Sequence, residues 1–156
     1  MIIRLLKKIF HLVFATADSR VAYYITLISA LKRYKFRMLG LILSRRLQRK
    51  YGVFLSYNTV FDSSLMLKHP VGIIIGEGVR IGKNVVIFQN VTIGRSDTFV
   101  KAYPDIGDNV IIYSGAVIVG SVKIGKNCIV GANTVVTKDI PDNSIAVGVP
   151  ARILKR

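Results

Sequence analysis

Hydrophobic residues in the second two-thirds of the chain recur every six positions. From Ile75 the beat runs Ile75, Ile81, Ile87 and Ile93, and after an interruption it resumes as Ile106, Ile112, Ile118, Ile124, Val130 and Val136. All are β-branched aliphatics, which favour extended backbone and pack a pleated interior. Two places before the beat lies a second small or apolar column: Ile73, Val79, Val85, Val91, then Val110, Ala116, Val122, Cys128 and Thr134. Three places after it stand Gly78, Asn84, Asn90, Asn109, Gly115, Ser121, Asn127 and Asn133. Asn and Gly tolerate the left-handed backbone that a sharp corner needs. A helix would repeat at 3.6, and a hairpin protein would not hold a beat of six. The pattern predicts short strands and corners coiled in parallel, a β-solenoid.

Ahead of Gly52 the pattern turns helical. Asp18 reads as the N-cap of a helix from about Ser19. That helix, or a pair broken near Gly40, should run to about Lys50, with Gly52 as its stop. The opening segment places Arg4, Lys7, Lys8 and His11 on one helical face amid apolar residues. Such a segment suits an interfacial helix on anionic lipid, or equally a helix packed on protein. Ala15-Thr16-Ala17 mimics a signal-peptide cleavage site, but the apolar core before it is short and broken by His11. Two parts are therefore expected: a basic amphipathic helical segment, 1–51, and a repeat domain with a C-terminal tail, 52–156.

Charge follows the same boundary. The 156 residues carry 23 Lys/Arg against 8 Asp/Glu, and twelve of the basic residues but only one acid (Asp18) precede Gly52. This front suits an anionic membrane surface. Nucleic acid is disfavoured, because the aromatics form no stacking pattern and the cations sit among leucines. A hydrophobic fraction of 51% excludes a disordered chain. One cysteine, Cys128, excludes a disulfide framework, and it falls in an interior column. Two histidines, His11 and His69, are too few for a three-histidine metal site, so no metal is expected. No apolar stretch reaches the roughly 18–20 residues that span a bilayer.

His69 is the single histidine of the repeat region, and it lies where the beat breaks: Leu67 to Ile75 is a step of eight. Followed by Pro70 and Gly72, it is placed to project sideways. A second interruption, Gly94 to Asp105, stretches one beat to thirteen residues, and inserted loops often carry function.

The stretches KHPVGIIIGEGVRIGKNVVIFQNVTIG (Lys68–Gly94) and GANTVVTKDIPDNSIAVGVPARI (Gly131–Ile153) resemble the hexapeptide-repeat acyltransferases. The likeness is greatest to the serine acetyltransferase branch, including its relatives that O-acetylate bacterial capsule and O-antigen sugars. It covers about residues 53–154. It implies a mainly β fold, a left-handed parallel β-helix of hexapeptide repeats with three hexads per coil and an N-terminal helical segment. It also implies a homotrimer that uses acetyl-CoA as co-substrate.

By the same resemblance His69 matches the general base, which would take a proton from an acceptor hydroxyl attacking the thioester; imidazole suits this with a pKa of about 6.5. The loop in serine acetyltransferases ends in Arg-His-Pro, whereas here it reads Ala102-Tyr103-Pro104, making Tyr103 the second catalytic candidate. Two acidic positions of those enzymes are Lys68 and Phe54 here. Losing both acids and the arginine points the acceptor toward a saccharide hydroxyl or a lipid-linked glycan, with serine as the alternative. Asp62, Glu77 or a backbone carbonyl are the candidates to orient His69. For the donor the resemblance implies Gly94, Ser114, Ala132 and Thr137, with Lys138, Arg152, Lys155 and Arg156 as basic partners of phosphates. The expected setting is cytoplasmic, peripheral at the inner membrane face. A non-catalytic membrane-binding scaffold is the remaining alternative. The coil ends need covering, and the helices are expected at one end, with an extended tail from about Pro141 lying along the trimer.

Overall fold

The computed structural model describes residues 16–96 and 102–155. Three flat sheets form the walls of a coiled prism. The first contains β1 (Phe54–Leu55), β4 (Ile74–Ile75), β7 (Thr92–Gly94), β10 (Val117–Val119) and β13 (Val135–Val136). The second stacks β2 (Val60–Phe61), β5 (Arg80–Ile81), β8 (Asp105–Ile106) and β11 (Lys123–Ile124). The third stacks β3 (Met66–Leu67), β6 (Val86–Ile87), β9 (Ile111–Ile112), β12 (Ile129–Val130) and β14 (Ser144–Val147), with β15 (Arg152–Lys155) at its edge. All pairings are parallel except β14 with β15.

Register follows the sixfold beat. Ile75 lies beside Ile93, Ile93 beside Ile118, and Ile118 beside Val136. Every residue of the beat and of the column before it is buried, so the two columns are the core. Each fully buried Ile or Val contributes roughly 1.5–3 kcal/mol of transfer free energy. Corners take positive φ at Gly78, Asn84, Asn90, Asn109, Gly115, Asn127 and Asn133. Ser121 is the exception, because Gly120 takes the left-handed turn one place earlier, after the three-residue β10. Along one edge the Asn side chains form a ladder: Asn84 donates to Asn109, Asn109 to Asn127, and Asn127 to Asn143.

Two helices, α1 (Ala17–Arg33) and α2 (Arg37–Tyr51), precede the coil. The N-cap is Thr16, whose hydroxyl accepts from the Ser19 N–H, and not Asp18. Asp18 sits in the first turn, where its carboxylate reaches the coil instead. The helices break at Tyr34–Phe36, around Lys35 with φ 59°, rather than at Gly40. Gly40 lies inside α2 because its bare Cα receives the Tyr57 ring, where a Cβ would overlap. Gly52 ends α2 with φ 64°, as the sequence predicts.

Val21, Ile25, Ile28 and Leu47 continue the coil's core into the helices, which cover the first coil. Lys32 crosses to that coil, donating to the Thr59 carbonyl with Nζ 5.0 Å from the centre of the Phe61 ring. Burial pulls its ammonium below the ordinary lysine pKa. At the other end, the chain does not leave as an extended tail. After β14 it turns through Gly148–Ala151, and β15 pairs back antiparallel on its own chain.

Residues 1–15 lie outside the described residues, and so does the opening amphipathic face expected there. Among the described residues no helix is long and apolar enough to cross a membrane.

Candidate functional site

The two extra residues between Leu67 and Ile75 bulge the corner between the third sheet and the first. Gly72 keeps the corner position, with φ 64°, against Asn90 of the next coil. His69 adopts a second left-handed conformation, φ 49°, a state that costs about 1–2 kcal/mol for a residue with a Cβ. The corner thereby turns the exposed imidazole outward, while Pro70 is buried beneath it.

A carboxylate from the helices holds this bulge. The His69 backbone N–H donates to Asp18 Oδ1 at 3.0 Å. Neither predicted orienting carboxylate does so. Asp62 accepts from the Ser64 hydroxyl and backbone N–H, at 2.6 and 2.9 Å, and Glu77 accepts from Asn58 at 2.7 Å. The His69 ring lies 6.2 Å from the Phe88 ring, which stacks on Tyr113 at 5.1 Å and 20°. These three rings climb one edge of the coil.

Beside His69 opens a cleft of about 600 Å³, lined by Thr16, Asp18, Lys50, Tyr51, His69 and Val71 among others. The Tyr51 hydroxyl and, on the same edge as His69, Gln89 Oε1 are buried with no hydrogen-bond partner among the described residues. An exposed imidazole beside such a cleft can accept a proton from a hydroxyl placed within hydrogen-bond reach.

The other sequence-predicted residues divide between two edges. Ser114 and Ala132 follow His69 up the same edge, one coil apart. Gly94, Tyr103, Thr137 and Lys138 occupy the next edge, between the first sheet and the second. There the Tyr103 ring covers Gly78, where a Cβ would come within 2.5 Å of the ring. Tyr103 also borders a separate cleft of about 430 Å³ with Arg80, Ser121, Lys123 and Asp139. A single chain thus does not bring Tyr103 to His69. Arg152 is exposed on β15. The Lys155 side chain, Arg156 and residues 97–101 of the loop lie outside the described residues. Among the described residues no group of three His, Cys, Asp or Glu is placed to hold a metal ion.

Sequence reasoning missed Asp18 and the Phe88–Tyr113 stack. Asp18 is the sole acid before Gly52, an available signal that was read only as a cap. Phe88 and Tyr113 each follow a beat residue, Ile87 and Ile112, that pair in register, so the repeat itself places them side by side.

Two family models match the repeat region: the bacterial transferase hexapeptide (six repeats) over residues 103–138, and the hexapeptide repeat of succinyl-transferase over residues 71–96. A serine acetyltransferase of Staphylococcus aureus is 45% identical over 93 residues, 59% of this chain and 44% of that protein. The soybean serine acetyltransferase apoenzyme has a TM-score of 0.79 at 33% identity, covering 89% of this chain and 58% of that one. A serine acetyltransferase in complex with CoA gives 0.77 at 30% identity, covering 90% and 58%. The chain therefore spans about half the length of the relatives it matches. The coil is a left-handed parallel β-helix of the kind found in those structures.

Proposed function

Because its repeat region belongs to the hexapeptide-repeat transferases, in the serine acetyltransferase-like branch, we propose that the chain transfers acetyl from acetyl-CoA to an acceptor hydroxyl. The observation that carries this reading is His69, exposed on a bulged corner and opening on a cleft. Its imidazole takes the hydroxyl proton as that oxygen attacks the thioester carbonyl. The tetrahedral intermediate then collapses, the C–S bond breaks, and the departing CoA sulfur takes the proton back from the imidazolium. The acceptor leaves as its acetyl ester. Ser114 and Ala132, small and on the same edge, leave room for the donor's narrow arm. Lys138 and Arg152, exposed and cationic, suit its phosphates.

Serine is the acceptor that the relatives favour, since those named above are serine acetyltransferases. Asp18 supports it, since a carboxylate in the cleft is what an ammonium group needs. The second reading is a saccharide or lipid-linked glycan hydroxyl. It is favoured by Lys68, Phe54 and Ala102, which stand where the serine-specific acids and arginine are expected. Because Tyr103, Thr137 and Lys138 lie on a different edge from His69, a complete site needs a neighbouring copy, and we place it in a homotrimer. We divide the chain into residues 1–51, whose described part holds α1 and α2, and a transferase domain, 52–156. The basic front supports contact with an anionic membrane from the cytoplasmic side.

Thiol release from acetyl-CoA, with serine and a panel of sugars, tests the proposal in wild type and His69→Ala. A general base contributes about 10²–10⁴-fold, and the substitution should remove that much. Serine-dependent release supports the first acceptor and sugar-dependent release the second. An unchanged rate in His69→Ala would refute the assigned base.

A further inference from the structure

The elbow between the helices is dressed for a surface that the rest of the described residues do not supply. Its sequence alternates cation and apolar side chain: Arg33, Tyr34, Lys35, Phe36, Arg37, Met38. The apolar members are not packed away. Tyr34 is 69% exposed, Phe36 57%, Met38 72% and Ile42 55%, with Leu39 beside them at 53%. Single exposed hydrophobics need no explanation, but a contiguous cluster marks an interaction site.

The cluster continues as a stripe along α2 whose character changes. Met38, Ile42, Arg45 and Arg49 are spaced by four, three and four, and so share one helical face. The apolar end of the stripe is at the elbow and the arginines lie further along. An apolar tip followed by guanidinium groups matches the order of hydrocarbon boundary and head group at a bilayer surface. Tyrosine is at home at that boundary.

Charge selects among occupants. Residues 19–51 hold nine Lys/Arg and no Asp or Glu. Asp18, the one acid before them, is engaged by the His69 N–H. Two copies of this face would oppose cations to cations with no acid to pair them. An anionic lipid surface meets both the charge and the apolar tip.

We propose that the α1–α2 elbow, residues 33–46, is a membrane-docking tip for anionic lipid. This localises the membrane contact of the functional reading and stands apart from acetyl transfer. α1 is about 25 Å long at 1.5 Å per residue and begins at the His69 cleft, so docking leaves that cleft a helix length away from the tip.

The test is flotation of the full chain with phosphatidylcholine vesicles, with and without phosphatidylglycerol. One variant removes the tip (Phe36→Gln, Met38→Gln, Ile42→Gln) and another the charge (Arg33→Gln, Lys35→Gln, Arg37→Gln). Wild type should bind only the anionic vesicles, and each variant should bind at least about tenfold more weakly, with unchanged circular dichroism and mass. Failure of wild type to bind, or full binding by both variants, overturns the proposal. A change of oligomeric mass in the variants also overturns it, because the face is then a contact between copies. Thiol release in vesicle-free solution, read in parallel, should be equal in wild type and variants, so a failed acetyl-transfer reading is distinguishable from a failed docking tip.

Discussion

Replacing Asp18 tests how the site is held together. Its Oδ1 accepts the His69 backbone N–H at 3.0 Å, tying the start of α1 to a corner in a costly left-handed conformation. A hydrogen bond to a charged group contributes about 1.5–3 kcal/mol when shielded. Here His69 is exposed and Asp18 half-buried, so about 1 kcal/mol is the reasonable size. Asp18→Ala should therefore lower the melting temperature by only about 2–4 °C. The catalytic effect should be larger, because a displacement of about 1 Å in a catalytic group can cost about 100-fold. Asp18→Asn keeps an acceptor oxygen for the same N–H and should retain most of the rate. The assay is kcat and KM from thiol release, with thermal melts of each variant. Wild-type kcat in Asp18→Ala would refute the positioning role. If Asp18→Asn raised KM for serine as much as Asp18→Ala while kcat held, the carboxylate would be contacting the acceptor's ammonium instead.

Three further outcomes follow from the coil. Ile112 is fully buried between Ile87 and Val130, so Ile112→Ala should cost about 2–5 kcal/mol, read from urea unfolding. Asn109 holds φ 58° and two rungs of the ladder; Asn109→Ala should lower the urea midpoint, and Asn109→Gly less, since glycine keeps the conformation and loses only the rungs. Equal losses would mean that the rungs alone matter. The Ser64 hydroxyl and N–H hold Asp62 below the ordinary carboxylate pKa, and the Lys83 N–H, then the Lys126 ammonium, do the same for Asp108. Both folded values lie below the unfolded one, so their stabilisation is complete above about pH 4 and is lost as pH falls through the folded values. Urea midpoints should fall in that acid range, and fall less in Asp62→Asn with Asp108→Asn.

The relatives named above are serine acetyltransferases, whereas the departures from their pattern pointed the acceptor toward a saccharide. Lys68 and Phe54 in place of two acids, and Ala102 in place of an arginine, argued against a site for a zwitterionic amino acid. Folding brings Asp18 into the His69 cleft from 51 residues away. That contact places a negative charge beside His69, while the arginine position is still filled by Ala102.

What was legible in the sequence is what a local, repeated constraint dictates. Ile at every sixth place, with Asn or Gly at the corners, leaves one way to bury the apolar column and turn the chain, so the coil, its core and its interruptions at His69 and Gly94 could all be read. Gly52 as a helix stop was legible for the same reason, since a left-handed C-cap is a local demand. Docking of distant segments carries no such signature. Thr16 took the cap that Asp18 was assigned. Gly40, which looked like a break, is a seat for the Tyr57 ring, and Lys35 makes the break instead. The division of His69 and Tyr103 between two edges depends on which corner each interruption falls at, and the Asp18–His69 bond depends on how the helices settle on the first coil. Those are properties of packing between segments far apart in the chain, which only the tertiary structure decides.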